Sequence, residues 1–179
     1  MTTLESATFD SPIGGITVAV HDARVCAVTF SDHWPEQVRW LERRFGRITF
    51  RPSTDPAGII GALGAYFRGH LGAFEGIELD AGGTPFQASV WAELLKVPAG
   101  RTTSYGELAS AIGSPKAARA VGAANGQNPI VIVIPCHRAI GRDRRLVGYG
   151  GGLDRKRWLL HHEGAAYAGA TDVKLPLAG

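Results

Sequence analysis

Apolar and polar positions along the chain change their period twice. Near the start, Ala7-Thr8-Phe9 and Ile16-Thr17-Val18-Ala19-Val20 flank Ser11-Pro12-Ile13-Gly14-Gly15. This pattern predicts two strands about a turn. Val25-Cys26-Ala27-Val28-Thr29-Phe30 predicts a third strand and puts Cys26 in a core. Pro35 to Arg44 and Ile59 to Leu71 switch to helical spacing. Trp34 and Trp40 then serve packing, and His33 and His70 have no partner at metal-ligand spacing. The break at Asp80-Ala81-Gly82-Gly83 ends this α/β part.

The second part is helical and better punctuated. Thr84-Pro85-Phe86-Gln87 is a capping box with Pro at the first helical position. Val90, Trp91, Leu94 and Leu95 follow as an apolar stripe, with Trp91 in the core. Ser104-Tyr105-Gly106-Glu107 is a second capping box, opening a helix to about Ile112. Gly113-Ser114-Pro115 predicts a turn in which Ser114 caps the next helix, and the two helices form a helix-turn-helix pattern. Five apolar residues, Ile130 to Ile134, read as a buried strand ended by Pro135. Asp154 is expected to cap a last helix through Trp158, Leu159 and Leu160 to Glu163, stopped by Gly164. The expected organisation is an α/β domain over 1–82, a mainly α helix-turn-helix domain over 83–165, and a tail over 166–179.

Composition narrows the setting. Two cysteines far apart, Cys26 and Cys136, make neither a disulfide framework nor a zinc motif. The first residues lack a basic region followed by an apolar core, so no signal peptide is expected. No apolar run is long enough to span a bilayer, and no membrane partner is expected. A reduced, intracellular (cytoplasmic) location follows, which a reactive thiol requires.

Charge is unevenly placed. Residues 1–83 hold seven Lys/Arg against ten Asp/Glu, whereas residues 84–165 hold eleven against five. The basic second part points to an anionic partner. A solvated charged face is the plainer account.

The third helix of this part, Lys116 to Asn125, is nearly bare of bulk, with Arg119 its one long basic side chain within the helix. Packing against another helix would explain the small residues but not Arg119 or Lys116. A smooth helix with one Arg suits the minor groove, where an inserted side chain prises bases apart.

Cys136 stands in Ile134-Pro135-Cys136-His137-Arg138, with an imidazole and a guanidinium next to it. Such a thiol suits a nucleophile activated by a base and by positive charge. A buried structural cysteine is the plainer account. Downstream, the basic stretch Gly141-Arg142-Asp143-Arg144-Arg145 precedes Tyr149-Gly150-Gly151-Gly152, a plausible wall for a planar ligand. Glu163 sits at the unfavourable negative end of its helix, and orienting an imidazole is one reason for an acid there. Solvent exposure is the other.

From about Phe86 to Gly164 the chain resembles the catalytic domain of the O6-alkylguanine-DNA alkyltransferases, the methylated-DNA–protein-cysteine methyltransferases. The matching residues are Ser104-Tyr105, Pro115 to Gly122, Asn128-Pro129, Ile134 to Arg138, Tyr149, Gly151-Gly152-Leu153 and His162-Glu163-Gly164. Ser11-Pro12-Ile13-Gly14 and Tyr66-Phe67 match more loosely. The resemblance implies a ribonuclease-H-like first domain and a winged-helix-like second one. It implies that Cys136 takes the alkyl group from guanine O6 and keeps it, so each molecule acts once. His137 is then the base, acting through a water, with Glu163 orienting it and Asn128 bracing the turn. Tyr105, Tyr149 and Gly150 belong to the base pocket, although some relatives carry serine where Gly150 stands. Arg119 fills the gap left by the flipped base, and Lys116, Ala120, Gly122 and Ser104 lie along the DNA. The partner is double-stranded DNA containing O6-alkylguanine, bound by a monomer, with cooperativity along DNA left open. No cofactor is implied. The N-terminal zinc set of some relatives is absent, so no metal is expected. Two other classes remain: a non-catalytic helix-turn-helix damage sensor, which needs no Cys136, and a Cys/His hydrolase, which must turn over.

Overall fold

The computed structural model describes residues 1–170. The chain divides into two compact units, 1–82 with 129–133, and 83–128 with the residues from 134 on.

In the first unit, β1 (Thr2–Ser11), β2 (Gly14–His21) and β3 (Arg24–Phe30) form an antiparallel meander. The chain then runs through α1 (Trp34–Phe45) to β4 (Ile48–Pro52), which pairs parallel to β1. The sheet order is β3-β2-β1-β4. A helical connection is what a parallel pair requires. Sequence reading did not find β4, although Ile48-Thr49-Phe50-Arg51 alternates with the period of a strand; the segment is short and ends at Pro52. Leu4, Ala19, Cys26, Ala27 and Leu41 form a buried cluster, with Trp34 and Trp40 packed against it. The core reading of Cys26 and the packing reading of both tryptophans are therefore right. Helix α2 (Ile59–Phe67) stops short of the expected Leu71.

In the second unit, α3 (Pro85–Leu95) and α4 (Tyr105–Ala111) each begin with the expected capping box, from Thr84 to Gln87 and from Ser104 to Glu107. Trp91 is buried and donates its indole N–H to the Ala124 carbonyl at 2.9 Å, tying α3 to α5 (Ala118–Gly126). Two caps differ from expectation. Ser114 does not cap α5, because Pro115 directs a turn closed by Ala117 N–H to Ser114 O at 2.8 Å. Helix α5 therefore starts at Ala118 with no side-chain cap. Asp154 lies inside the first turn of α6 (Leu153–His162) and pairs with Arg157 at 2.8 Å, while Gly152 is the cap.

The apolar run before Cys136 is buried but is not a strand. Val133 N–H donates to Val131 O at 2.9 Å around Ile132, whose φ is 73°. This is the rare, strained γ-turn, and positive φ in a β-branched residue costs about 1–3 kcal/mol. Cys136 N–H then donates to Ile134 O at 2.8 Å around Pro135 (φ −81°, ψ 62°), an inverse γ-turn. Two successive reversals leave no room for a regular ladder. Residues 129–133, expected in the second domain, group with the first unit instead. Val28 N–H donates to Pro129 O at 3.0 Å, and Val131 N–H to Val28 O at 2.9 Å. Of the expected tail, residues 171–179 lie outside the described residues.

Candidate active site around Cys136

The short pair β5 (Thr103–Ser104) and β6 (Ala139–Ile140) is parallel and sets the frame. It places the start of α4, with Tyr105, beside the chain leaving Cys136. Cys136, His137 and Arg138 form one 3-10 turn just before β6 and are all buried.

Asn128 spans the double γ-turn, donating from Nδ2 to Ile134 O at 2.8 Å. Its side chain and that of Tyr149 both favour the thiolate form of Cys136. Asn125, on the buried face of α5, donates from Nδ2 to the Cys136 carbonyl at 3.3 Å. Burial pushes the Cys136 thiol up; Asn128, Lys156 and Tyr149 only partly offset this. The expected charge beside the thiol was the guanidinium of Arg138; the cation that acts on it is instead Lys156, and its effect is outweighed. Desolvation of the anion wins at a site that is only 3% exposed. The thiol rests protonated and must lose its proton as it reacts.

His137 Nε2 meets Glu163 Oε1 at 2.9 Å, and both side chains are fully buried. The other ring nitrogen, Nδ1, is buried with no hydrogen-bond partner among the described residues. Arg138 grips the same carboxylate, Nε to Oε2 at 2.9 Å and Nη2 to Oε1 at 2.8 Å. Burial raises the Glu163 carboxyl, but His137 and Arg138 outweigh it and hold it well below the usual range. The acid at the negative end of α6 thus has its reason in these two partners. Gly100 lets the chain pass there; its φ is 80°, and an added Cβ would stand 3.1 Å from Glu163 O.

Lys156 was not singled out in the sequence. It is fully buried in α6 and donates from Nζ to the carbonyls of Ala139 (2.6 Å), Val147 (3.0 Å) and Gly148 (3.2 Å). It therefore ties the strand after Cys136 to the segment leading to Tyr149. Burial pushes its ammonium down to about 8, and the neighbouring Cys136 acts in the opposite direction. A signal did exist. Lys156 precedes Leu159, Leu160 and Glu163 by three, four and seven residues, which is the buried face of α6. Tyr105 Oη donates to the same Val147 carbonyl at 3.4 Å, and Gly150 is exposed next to Tyr149.

Helix α5 buries Val121, Ala124 and Asn125 and exposes Arg119 and Ala120. Lys116 in the preceding turn is also exposed. At Gly122 the nearest atom to an added Cβ would be Tyr105 Cδ1 at 3.9 Å, so the helix passes close to Tyr105. Ser104 is used as the cap of α4, its Oγ accepting from Glu107 N–H at 3.2 Å. Among the described residues no group of three His, Cys, Asp or Glu is placed to hold a metal ion, and no helix is long and apolar enough to cross a membrane.

The chain has close relatives among known proteins. The family model described as the DNA-binding domain of 6-O-methylguanine DNA methyltransferase matches residues 85–165. The methylated-DNA–protein-cysteine methyltransferase of Mycolicibacterium paratuberculosis is 49% identical over 161 residues, covering 88% of this chain and 90% of that protein. The chain belongs to the methylated-DNA–protein-cysteine methyltransferase family. The Shigella flexneri methyltransferase is 43% identical, covering 86% of this chain and 92% of that protein. A crystal structure of the Mycobacterium tuberculosis OGT in complex with DNA matches at 46% identity with a TM-score of 0.77, covering 89% of this chain and 92% of that one. The O6-methylguanine-DNA methyltransferase of Pyrococcus kodakaraensis matches at 29% identity with a TM-score of 0.68, covering 90% and 99%.

Proposed function

We propose that this methyltransferase-family chain repairs duplex DNA by moving the alkyl group of O6-alkylguanine, and less readily that of O4-alkylthymine, onto Cys136. The observation that carries the reading is the Cys136 thiol, favoured as thiolate by Asn128 and Tyr149, immediately before a buried His137–Glu163 pair. The target O6 lies inside the duplex, so the base must be flipped out. Arg119 fills the space it leaves, while Lys116, Ala120, Gly122 and Ser104 follow the backbone. Tyr105 presses on the target phosphate and donates its hydroxyl to the guanine ring. Tyr149 walls the pocket, and Gly150 offers its backbone N–H.

In the reaction the thiol proton passes through a water to His137 Nδ1, which is buried with no partner among the described residues. Cys136 Sγ bonds to the alkyl carbon as the carbon–O6 bond breaks. That bond's electron pair stays on guanine, which takes one proton from solvent through the Tyr105 hydroxyl, while His137 returns the thiol proton to solvent through the same water. The product thioether is neutral and stable, and no step of this scheme releases it. Each molecule therefore acts once. In this reading the first unit is a ribonuclease-H-like scaffold and the second a winged-helix-like DNA-binding unit. The protein works as a monomer in the cytoplasm with access to DNA.

Intact-protein mass after incubation with O6-methylguanine duplex tests the reading. One methyl per molecule, on Cys136, is expected. Several turnovers per molecule, or methyl on Cys26, would overturn it.

A further inference from the structure

Arg138 is committed inward, although it stands in a basic half of the chain. Its Nε and Nη2 donate to the two oxygens of Glu163 at 2.9 and 2.8 Å, and its Nη1 donates to Val97 O. Glu163 Oε1 also meets His137 Nε2 at 2.9 Å. One buried carboxylate thus faces two potential cations while carrying a single negative charge. A Glu–His pair alone in such a site is stabilised as carboxylate and imidazolium, and an imidazolium has no lone pair to take a proton. Arg is always charged and matches a carboxylate with two parallel bonds.

We infer that Arg138 is a positioning residue that neutralises Glu163 and so keeps His137 neutral, with its proton on Nε2 and its lone pair on Nδ1. This rests on His137 being the base of the transfer step. The geometry agrees: Nε2 has the carboxylate to donate to, and Nδ1 has no partner among the described residues. The charged groups acting on His137 are Glu163, Arg138 and Lys156. Burial lowers its affinity for a proton most, Glu163 raises it, and Arg138 and Lys156 lower it further. Without Arg138, the His137–Glu163 pair should take up a proton at higher pH. On the imidazole the proton abolishes the base. On the carboxyl it makes Glu163 a donor to Nε2 and moves the ring proton to Nδ1. The reaction loses its acceptor either way.

The test is the pH dependence of methyl transfer for the parent, Arg138→Gln and Arg138→Lys, together with nitrogen NMR of His137 in the parent. Arg138→Gln should move the acid limb of the rate up by about one pH unit or more, the usual effect of one adjacent buried charge. Arg138→Lys keeps the charge and should return the limb toward the parent position despite a looser grip. A limb that stays in place in Arg138→Gln, with the rate lowered equally at every pH, would mean that Arg138 only braces Val97 and Glu163, and would overturn the inference. If Arg138→Gln fails to fold, the parent spectrum decides. A neutral ring with Nε2–H at pH 7 supports the inference, and a doubly protonated ring overturns it. Failure of the parent to methylate Cys136 would instead strike the function, and the same spectrum taken on parent and Arg138→Gln, which needs no activity, would still report on Arg138.

Discussion

Asn128 donates from Nδ2 to the carbonyl of Ile134 at 2.8 Å, closing the loop that delivers Cys136. Inside that loop Ile132 holds a φ of 73°, so the chain is under strain just before Cys136. The bond across the loop mouth keeps the strained turn from relaxing. Asn128→Ala would remove one of the two bonds that the Ile134 carbonyl accepts, leaving the one from Cys136 N–H, and should cost about 0.5–1.5 kcal/mol of stability. It would also let the thiol shift relative to its base. The methyl-transfer rate should fall on the order of 10- to 100-fold, the usual effect of a misplacement near 1 Å. Urea unfolding and single-turnover kinetics check the two parts separately. A full loss of stability with an unchanged rate would show that the loop keeps its shape without Asn128.

Lys156 joins two structures that the transfer reaction needs together. Lys156→Met keeps the aliphatic bulk but leaves the carbonyls of Ala139, Val147 and Gly148 without the ammonium that binds them. The variant should melt several degrees lower than the parent. Its Cys136 should also react more slowly with iodoacetamide at pH 8, because the charge that lowers the thiol is gone. Cys26 gives an internal control. Burial raises its thiol to about 12, so it should react only after unfolding. Equal reactivity of Cys136 in parent and variant, read by peptide mass, would remove Lys156 from the activation of the thiol.

Much of this site was legible because local rules and global fold agree. Thr84 and Ser104 mark their helices with short-range bonds that depend on four residues each. Cys136, His137 and Glu163 were found by resemblance and by an acid placed against its helix dipole. The double γ-turn was not legible. Val131-Ile132-Val133-Ile134 has the composition of a strand, and its reversals are imposed by Asn128 and by bonds from Val28. Lys156 was hidden between Arg155 and Arg157, where a third cation looks solvated. Arg138 was read as a neighbour of the thiol, because nothing local to Arg138 reveals that Glu163, twenty-five residues away, takes its bonds.

The buried pair also predicts how stability follows pH. His137 is held below its ordinary pKa by burial, so below about 6.5 the unfolded chain binds more protons than the folded one. Stability then falls as pH drops through this range. Glu163 is held low as well, and its contribution, complete above the ordinary carboxylate range, is lost as pH falls from about 4.3 toward its folded value. Urea midpoints from pH 8 to pH 3 should therefore decline in two stages. Glu163→Gln should start lower and remove the second stage. A variant that keeps the full second stage would place the acid sensitivity on other carboxylates.

The DNA side turns on Arg119. It is exposed on α5, a helix whose other outward positions include Ala120 and Ala123, so nothing else on that face can replace a lost base. Such a surface has little to read base edges with, and binding should be nearly independent of sequence. Affinity should drop steeply with salt through the lysines and arginines of the second unit, damaged or not. Arg142, Arg144 and Arg145 are exposed, and their loss should weaken binding alike on every sequence and flatten the salt slope. Arg119→Ala should behave differently. If Arg119 fills the gap left by a flipped base, its loss removes support for the extruded state but leaves the pocket intact. Repair of O6-methylguanine in duplex DNA should slow by a large factor, while reaction with free O6-benzylguanine, which needs no flipping, should continue near the parent rate. Both rates can be read from the mass of the same protein. Equal losses on duplex and free base would assign Arg119 to the fold or the pocket and end its role as the inserted residue.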